Sequence, residues 1–179
     1  MTVSDLLTAI RASYVEVLAR AAAESTAHVE PAFRRSDGTL ATDGALNLPC
    51  RADLIPKQGG PTVSVDSQNR LAFEPLSFAL GATSVTLNSF VWDNVHIEIA
   101  GPSETPETMK AWFLDWFDGD DDRAAMADGL FGVVHFMSDP TRAGTTWSAV
   151  LDLGSAPAHA FEELLWLLSD AGAEQIRVS

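Results

Sequence analysis

The stretch FVWDNVHIEIAGPSETPETMKAWFLDWFDG, residues 90–119, decides the fold. Its first ten residues alternate. Val91, Val95, Ile97 and Ile99 fall on one side of an extended chain, and Trp92, Asn94, His96 and Glu98 on the other. Phe90–Ile99 therefore reads as a strand with one apolar and one polar face. Gly101-Pro102 ends it. Thr105 is placed to cap a helix with Pro106 at its first position, where a missing N–H does no harm. Met109, Trp112, Phe113, Trp116 and Phe117 give that helix a heavy aromatic stripe, and Gly119 with the acids around it ends the run.

The reading extends outward from there. Leu130–Met137 and Thr145–Leu153 are expected strands, joined through Asp139-Pro140 and Gly144. Ser155 is the expected cap of a last helix with Pro157 in its first turn. Phe161, Leu164, Leu165 and Leu168 mark its buried side, and Gly172 lies just past its end. Ile176 and Val178 mark a short final strand. Strand, helix, strand, strand, helix, strand over residues 90–179 is the βαββαβ order of a ferredoxin-like sandwich, with strand order 4-1-3-2 and both helices on one face. That order is topology only, since such a fold hosts many functions.

The first half reads as an extension packed on this unit. Residues 4–27 form a helix, with Ser4 as the cap and Leu6, Leu7, Ile10, Tyr14, Val17, Leu18 and Ala21 as its apolar stripe. Residues 29–61 are irregular, with Asp37-Gly38 and Asp43-Gly44 as turns and a short hairpin expected among them. Thr62–Asp66, Leu71–Phe73, Leu76–Leu80 and Ser84–Leu87 read as a β-meander. The fold class is α+β, and residues 1–179 read as a single domain, because no linker interrupts 62–100.

Composition narrows the function classes. No basic segment precedes an apolar run at the N-terminus, and no stretch of about 18 apolar residues exists. A cytoplasmic location with no membrane partner is the expectation. Cys50 is the only cysteine, so an intramolecular disulfide and a cysteine-pair zinc site are excluded. Net charge is −14, and it is lopsided. Residues 1–89 hold nine acids and seven bases, and residues 90–179 hold sixteen and four. Such a surface repels phosphate backbones, so nucleic acid is not an expected partner; cations, basic ligands or another protein are.

Three groups of residues stand out. The first is the polar face of the expected sheet: Asn94, His96 and Glu98 on one strand, Ser148 and Asp152 on its neighbour, Gln175 and Arg177 on the last. An imidazole, two carboxylates and a guanidinium on one face can do acid–base work or hold a ligand. The ordinary alternative is a solvated or covered polar layer, because strand alternation produces such rows by default. The second is Asp118, Asp120 and Asp122, whose spacing matches the opening of a calcium loop and offers a surface site for a divalent cation. Arg123 stands where the sharp-turn glycine belongs, and Gly129 where the bidentate glutamate belongs. As helix-end acids these residues oppose the dipole, a strain that a nearby base would relieve. The third is an aromatic surface of Trp112, Trp116 and Trp166 for a protein partner, with burial in a core as the plainer alternative.

The chain has no Walker A, G-x-G-x-x-G, G-x-S-x-G or H-E-x-x-H motif. Its four histidines lack metal-ligand spacing, and His135 sits in a run that is apolar on both sides. Arg51 beside Cys50 is a possible means of lowering the thiol pKa, with no partner histidine in reach. No catalytic residue and no cofactor beyond that divalent cation is expected. The reading that follows is a non-enzymatic protein-interaction module, self-association included. The alternative is a small enzyme or ligand binder built on His96, Glu98 and Asp152.

Overall fold

A computed structural model describes residues 2–179 as a mixed α+β structure with three helices, a seven-stranded mixed sheet and two small two-stranded sheets. In chain order the elements are α1 (Val3–Glu24), β1 (Ala27–Val29), β2 (Thr42–Asp43), β3 (Leu48–Pro49), β4 (Leu54–Pro56), β5 (Leu76–Leu80), β6 (Thr83–Leu87), β7 (Val95–Ala100), α2 (Thr105–Phe117), β8 (Phe136–Met137), β9 (Thr141–Ala143), β10 (Thr146–Asp152), α3 (Ala158–Asp170) and β11 (Gln175–Val178). Among the described residues no helix is long and apolar enough to cross a membrane.

The main sheet runs β5-β6-β11-β7-β10-β8, with β9 also paired to β10. Every pairing is antiparallel except β6 with β11. Register aligns apolar side chains in rows across it. Val85, Ile176 and Ile99 form one row, and Leu87, Val178, Ile97 and Ala149 another. All of these are buried and share one core with the apolar sides of α1, α2 and α3. α2 packs on α3, and α3 on α1.

The helices start by different means. Thr2, rather than Ser4, caps α1: its hydroxyl accepts from the Asp5 N–H, and the Asp5 carboxylate accepts from the Thr2 N–H. Glu104 precedes α2 without a side-chain cap, so Thr105 is the first helical residue. Pro157 precedes α3, and Ser155 is used elsewhere. Gly172, at φ +93°, takes the left-handed position just past α3.

Four expected strands are shortened or lost. Phe90–Asn94 do not continue β7. A tight turn closed by the Asn94 N–H on the Val91 carbonyl breaks the alternation and sends Trp92 into the core, edge-on to Phe161 at 6.2 Å. Residues 130–135 are buried apart from the half-buried Phe131, and none of them is strand. The N–H groups of Phe131, Gly132 and Val133 bond to the side chains of Glu30 and Ser155 instead. Thr62–Asp66 makes one isolated bridge, Val63 with Leu54, and Leu71–Phe73 makes none. The expected hairpin in 29–61 is β2–β3, turning at Gly44 with φ +76°.

Candidate functional site

The polar sheet face is open to solvent over much of its width. Register sets Ser77, Thr86, Arg177, Glu98 and Ser148 in one row, with His96 opposite Val150 in the next. His96 and Glu98 are exposed, and Arg177 donates to Glu98 at 3.3 Å with both side chains about half exposed. Such a pair contributes about 1 kcal/mol or less. Asn94 is exposed in the turn before β7. A groove of about 410 Å³ is lined by His96, Glu98, Ser138, Asp139, Thr141 and Ser148. Asp152 is not among its walls. It lies at the end of β10 with a carboxylate oxygen 3.8 Å from His135 Nδ1, so it belongs to a different cluster.

The acid run closes the end of α2. Asp118 adopts the left-handed conformation, and its carboxylate accepts from the N–H groups of Asp122 and Arg123. Asp120 and Asp122 are exposed. Asp121, not one of the alternate acids, is gripped by Arg34 and Arg51, each at 2.8 Å. Arg51 is buried, and its guanidinium donates to the carbonyls of Phe117, Asp118 and Glu30. It also stacks on the Phe117 ring at 4.7 Å. The base that relieves the helix end is therefore Arg51, drawn in from 66 residues earlier in the chain. Facing this way, it leaves the Cys50 thiol to burial and to Asp43, which push its pKa up, not down.

The aromatic stripe is interior. Trp112 donates to the Ala160 carbonyl and Trp116 to the Glu163 carboxylate, so both bind α2 to α3. Both are buried, and the Arg123 guanidinium sits over the Trp116 ring at 4.5 Å. The expected three-tryptophan surface reduces to Trp166, which is 51% exposed on α3.

A fourth group converges in the core. His135, fully buried, stands just before β8. Its Nε2 meets the Glu30 carboxylate at 2.7 Å, and Glu30 is itself fully buried. Glu30 also accepts from the N–H groups of Phe131 and Ser155, and it adopts φ +49° to reach the site. The other ring nitrogen, Nδ1, lies 2.9 Å from an Asp53 oxygen. That is ion-pair distance, and Nδ1 is buried without a well-formed hydrogen bond among the described residues. Asp53 accepts from the Tyr14 hydroxyl at 2.7 Å and the Val65 N–H at 2.6 Å. Asp152 accepts from the Gly154 N–H at 2.9 Å.

Electrostatics follow from burial and charge. Burial alone would lower the His135 pKa, but the carboxylates of Asp53 and Glu30 outweigh it and raise the value to about 10. Burial works to raise the Glu30 and Asp53 pKa values, yet the imidazole and their N–H donors hold both below the usual range. Asp152 goes the other way. Burial, with Asp53 and Asp93 nearby, lifts it to about 6 against the pull of His135. Burial, and then the charges of Asp152 and Asp53, raise the Tyr14 pKa.

Sequence reading reached Asp152 but not its partners. Glu30 lies in an irregular segment with no local pattern. The one available signal was His135 itself, a polar ring inside an apolar run, which must find partners when buried. No protein-family model, curated protein or solved structure matches this chain.

Proposed function

We propose that the chain is a non-enzymatic protein-interaction module that self-associates through the β5 edge of its sheet. One observation carries this. Pro75–Trp92, which includes β5 and β6, holds no Asp, Glu, Lys or Arg in a chain of net charge −14. Two copies of an acidic molecule meet with least repulsion where neither bears charge. β5 is an edge strand. Edge strands expose unpaired N–H and C=O groups, and proteins that stay monomeric blunt them with lysine, proline or a bulge. Leu76–Leu80 contains neither lysine nor proline. Leu76 is 36% exposed there, and Phe78 and Leu80 line a mostly apolar groove of about 200 Å³ with Val3, Leu165 and Trp166, edged by Ser4 and Glu162. Antiparallel pairing of β5 with its copy about a two-fold axis would satisfy the edge and cover Trp166.

Sedimentation equilibrium over a range of concentrations tests the proposal. The expected result is a reversible dimer for the native chain, strengthened by salt. Leu76→Lys, a change at a partly exposed position, should give a monomer with unchanged thermal stability. A native chain that stays monomeric at millimolar concentration, or a Leu76→Lys variant that dimerises as well as the native chain, overturns it.

The β11-β7-β10-β8 order, antiparallel throughout, supports reading the C-terminal half as a ferredoxin-like unit. The single Cys50 and the acidic surface support a cytoplasmic setting without nucleic-acid or membrane partners. A second reading, small-ligand binding on the open face, is favoured by the groove beside His96, Glu98 and Ser148. Titration of the His96 ring signals against a metabolite set tests it, and signals that never shift argue against it.

A further inference from the structure

We propose that Asp53, His135 and Asp152 bind one divalent transition-metal ion, with zinc as the best fit. These residues come from three separate parts of the chain: the segment before β4, the segment before β8 and the end of β10. One ligand atom from each lies within 4.8 Å of the others. His135 Nδ1 is 2.9 Å from Asp53 and 3.8 Å from Asp152. Two zinc bonds of about 2 Å meeting near the tetrahedral angle separate their ligand atoms by roughly 3.3 Å, so small shifts close the site on an ion.

The surrounding bonds point each ligand inward. Glu30 engages Nε2, the arrangement by which a carboxylate fixes the imidazole tautomer and turns the other nitrogen toward a metal. The Gly154 N–H holds one oxygen of Asp152 and leaves the other facing His135. Tyr14 and the Val65 N–H fix Asp53. The alternative source of positive charge is a proton on Nδ1. Nδ1 is buried 2.9 Å from Asp53 without a well-formed hydrogen bond, so the ring is not optimally turned for a proton shared with that carboxylate. A buried Nδ1 without a hydrogen bond, beside two carboxylate oxygens, marks a place where a cation can displace the ring proton and be held by all three. One nitrogen and two oxygens suit zinc better than calcium or magnesium, which prefer all-oxygen cages. The Asp152 side chain is 26% exposed, which supplies a route from solvent to the cluster.

The test is calorimetric titration of chelator-washed protein with Zn²⁺, paired with the visible spectrum after Co²⁺ is added instead. The expected result is one ion per chain, Co²⁺ bands typical of a nitrogen–oxygen tetrahedral site, and X-ray absorption showing one imidazole. Asp152→Asn keeps the shape at a partly exposed position, so it should fold. It should weaken Zn²⁺ binding at least about tenfold, as expected when a ligand set is disturbed. Asp120→Asn and Asp122→Asn should bind as the native chain does. The proposal is overturned if the native chain takes up no zinc, if Asp152→Asn binds it equally well, or if the Asp120 and Asp122 variants alone lose it.

Discussion

Replacing Glu30 by Gln keeps the shape of the side chain and removes its charge. Glu30 accepts from three donors: His135 Nε2 at 2.7 Å, the Phe131 N–H at 2.7 Å and the Ser155 N–H at 3.2 Å. An amide has one accepting oxygen, so its NH₂ must face at least one of these donors. The His135 ring, fully buried, also loses its closest charge partner. Removing one member of a buried ion pair costs about 3–5 kcal/mol, because the other is left without compensation. By contrast the exposed Arg177–Glu98 pair is worth about 1 kcal/mol or less. Urea unfolding, fitted to two states, reads the difference in midpoint. A domain of this size loses about 2–4 °C in melting temperature per kcal/mol, so thermal melts should show a drop of roughly 10 °C. A Glu30→Gln variant within about 1 kcal/mol of the native chain would refute the claim that this cluster organises the core.

The remaining predictions concern the same core. With chelator present, stability should fall as pH rises from about 6.5, the ordinary histidine value. A raised pKa contributes below the unfolded value and is lost through the folded one, here about 10 for His135. Asp152, raised to about 6, adds a loss of the same sign from its ordinary range upward, while Glu30 and Asp53, held low, lose their contribution on acidification. Unfolding free energies should therefore peak at weakly acidic pH; a flat profile from neutral to alkaline pH would contradict the assignment. Arg51→Leu strands the carbonyls of Phe117, Asp118 and Glu30 and should lower stability by about 3 kcal/mol in urea; a change under about 1 kcal/mol would mean that water replaces it freely. Gly154→Ala should cost about 2 kcal/mol or more in the same assay, because a Cβ there meets the His135 ring and the Val133 carbonyl at φ +51°; a neutral result would show that the ring is not held where the structure has it.

Legibility in the sequence followed periodicity. α2 and α3 carry uninterrupted stripes, and β10 alternates cleanly, so their bounds were readable to within a residue or three. β7 was readable only in its second half, because the Val91–Asn94 turn has no glycine or proline to announce it. Residues 130–135 misled for a different reason. An apolar run reads as a strand, but here side chains of Glu30 and Ser155 satisfy the backbone, and those partners lie 101 and about two dozen residues away. The aromatic stripe of α2 was visible, but which tryptophans face out depends on where α3 packs, a tertiary fact. Of the candidate site, only Asp152 stood out beforehand. Asp53 and Glu30 look like any acids in a loop until the chain closes around His135.

The most direct test of self-association is amide hydrogen exchange across β5 as protein concentration rises. If β5 pairs with its copy, Leu76–Leu80 amides not bonded to β6 become protected as concentration rises, while β10 amides in the sheet interior do not change. Exchange at β5 that is fast and independent of concentration would contradict it.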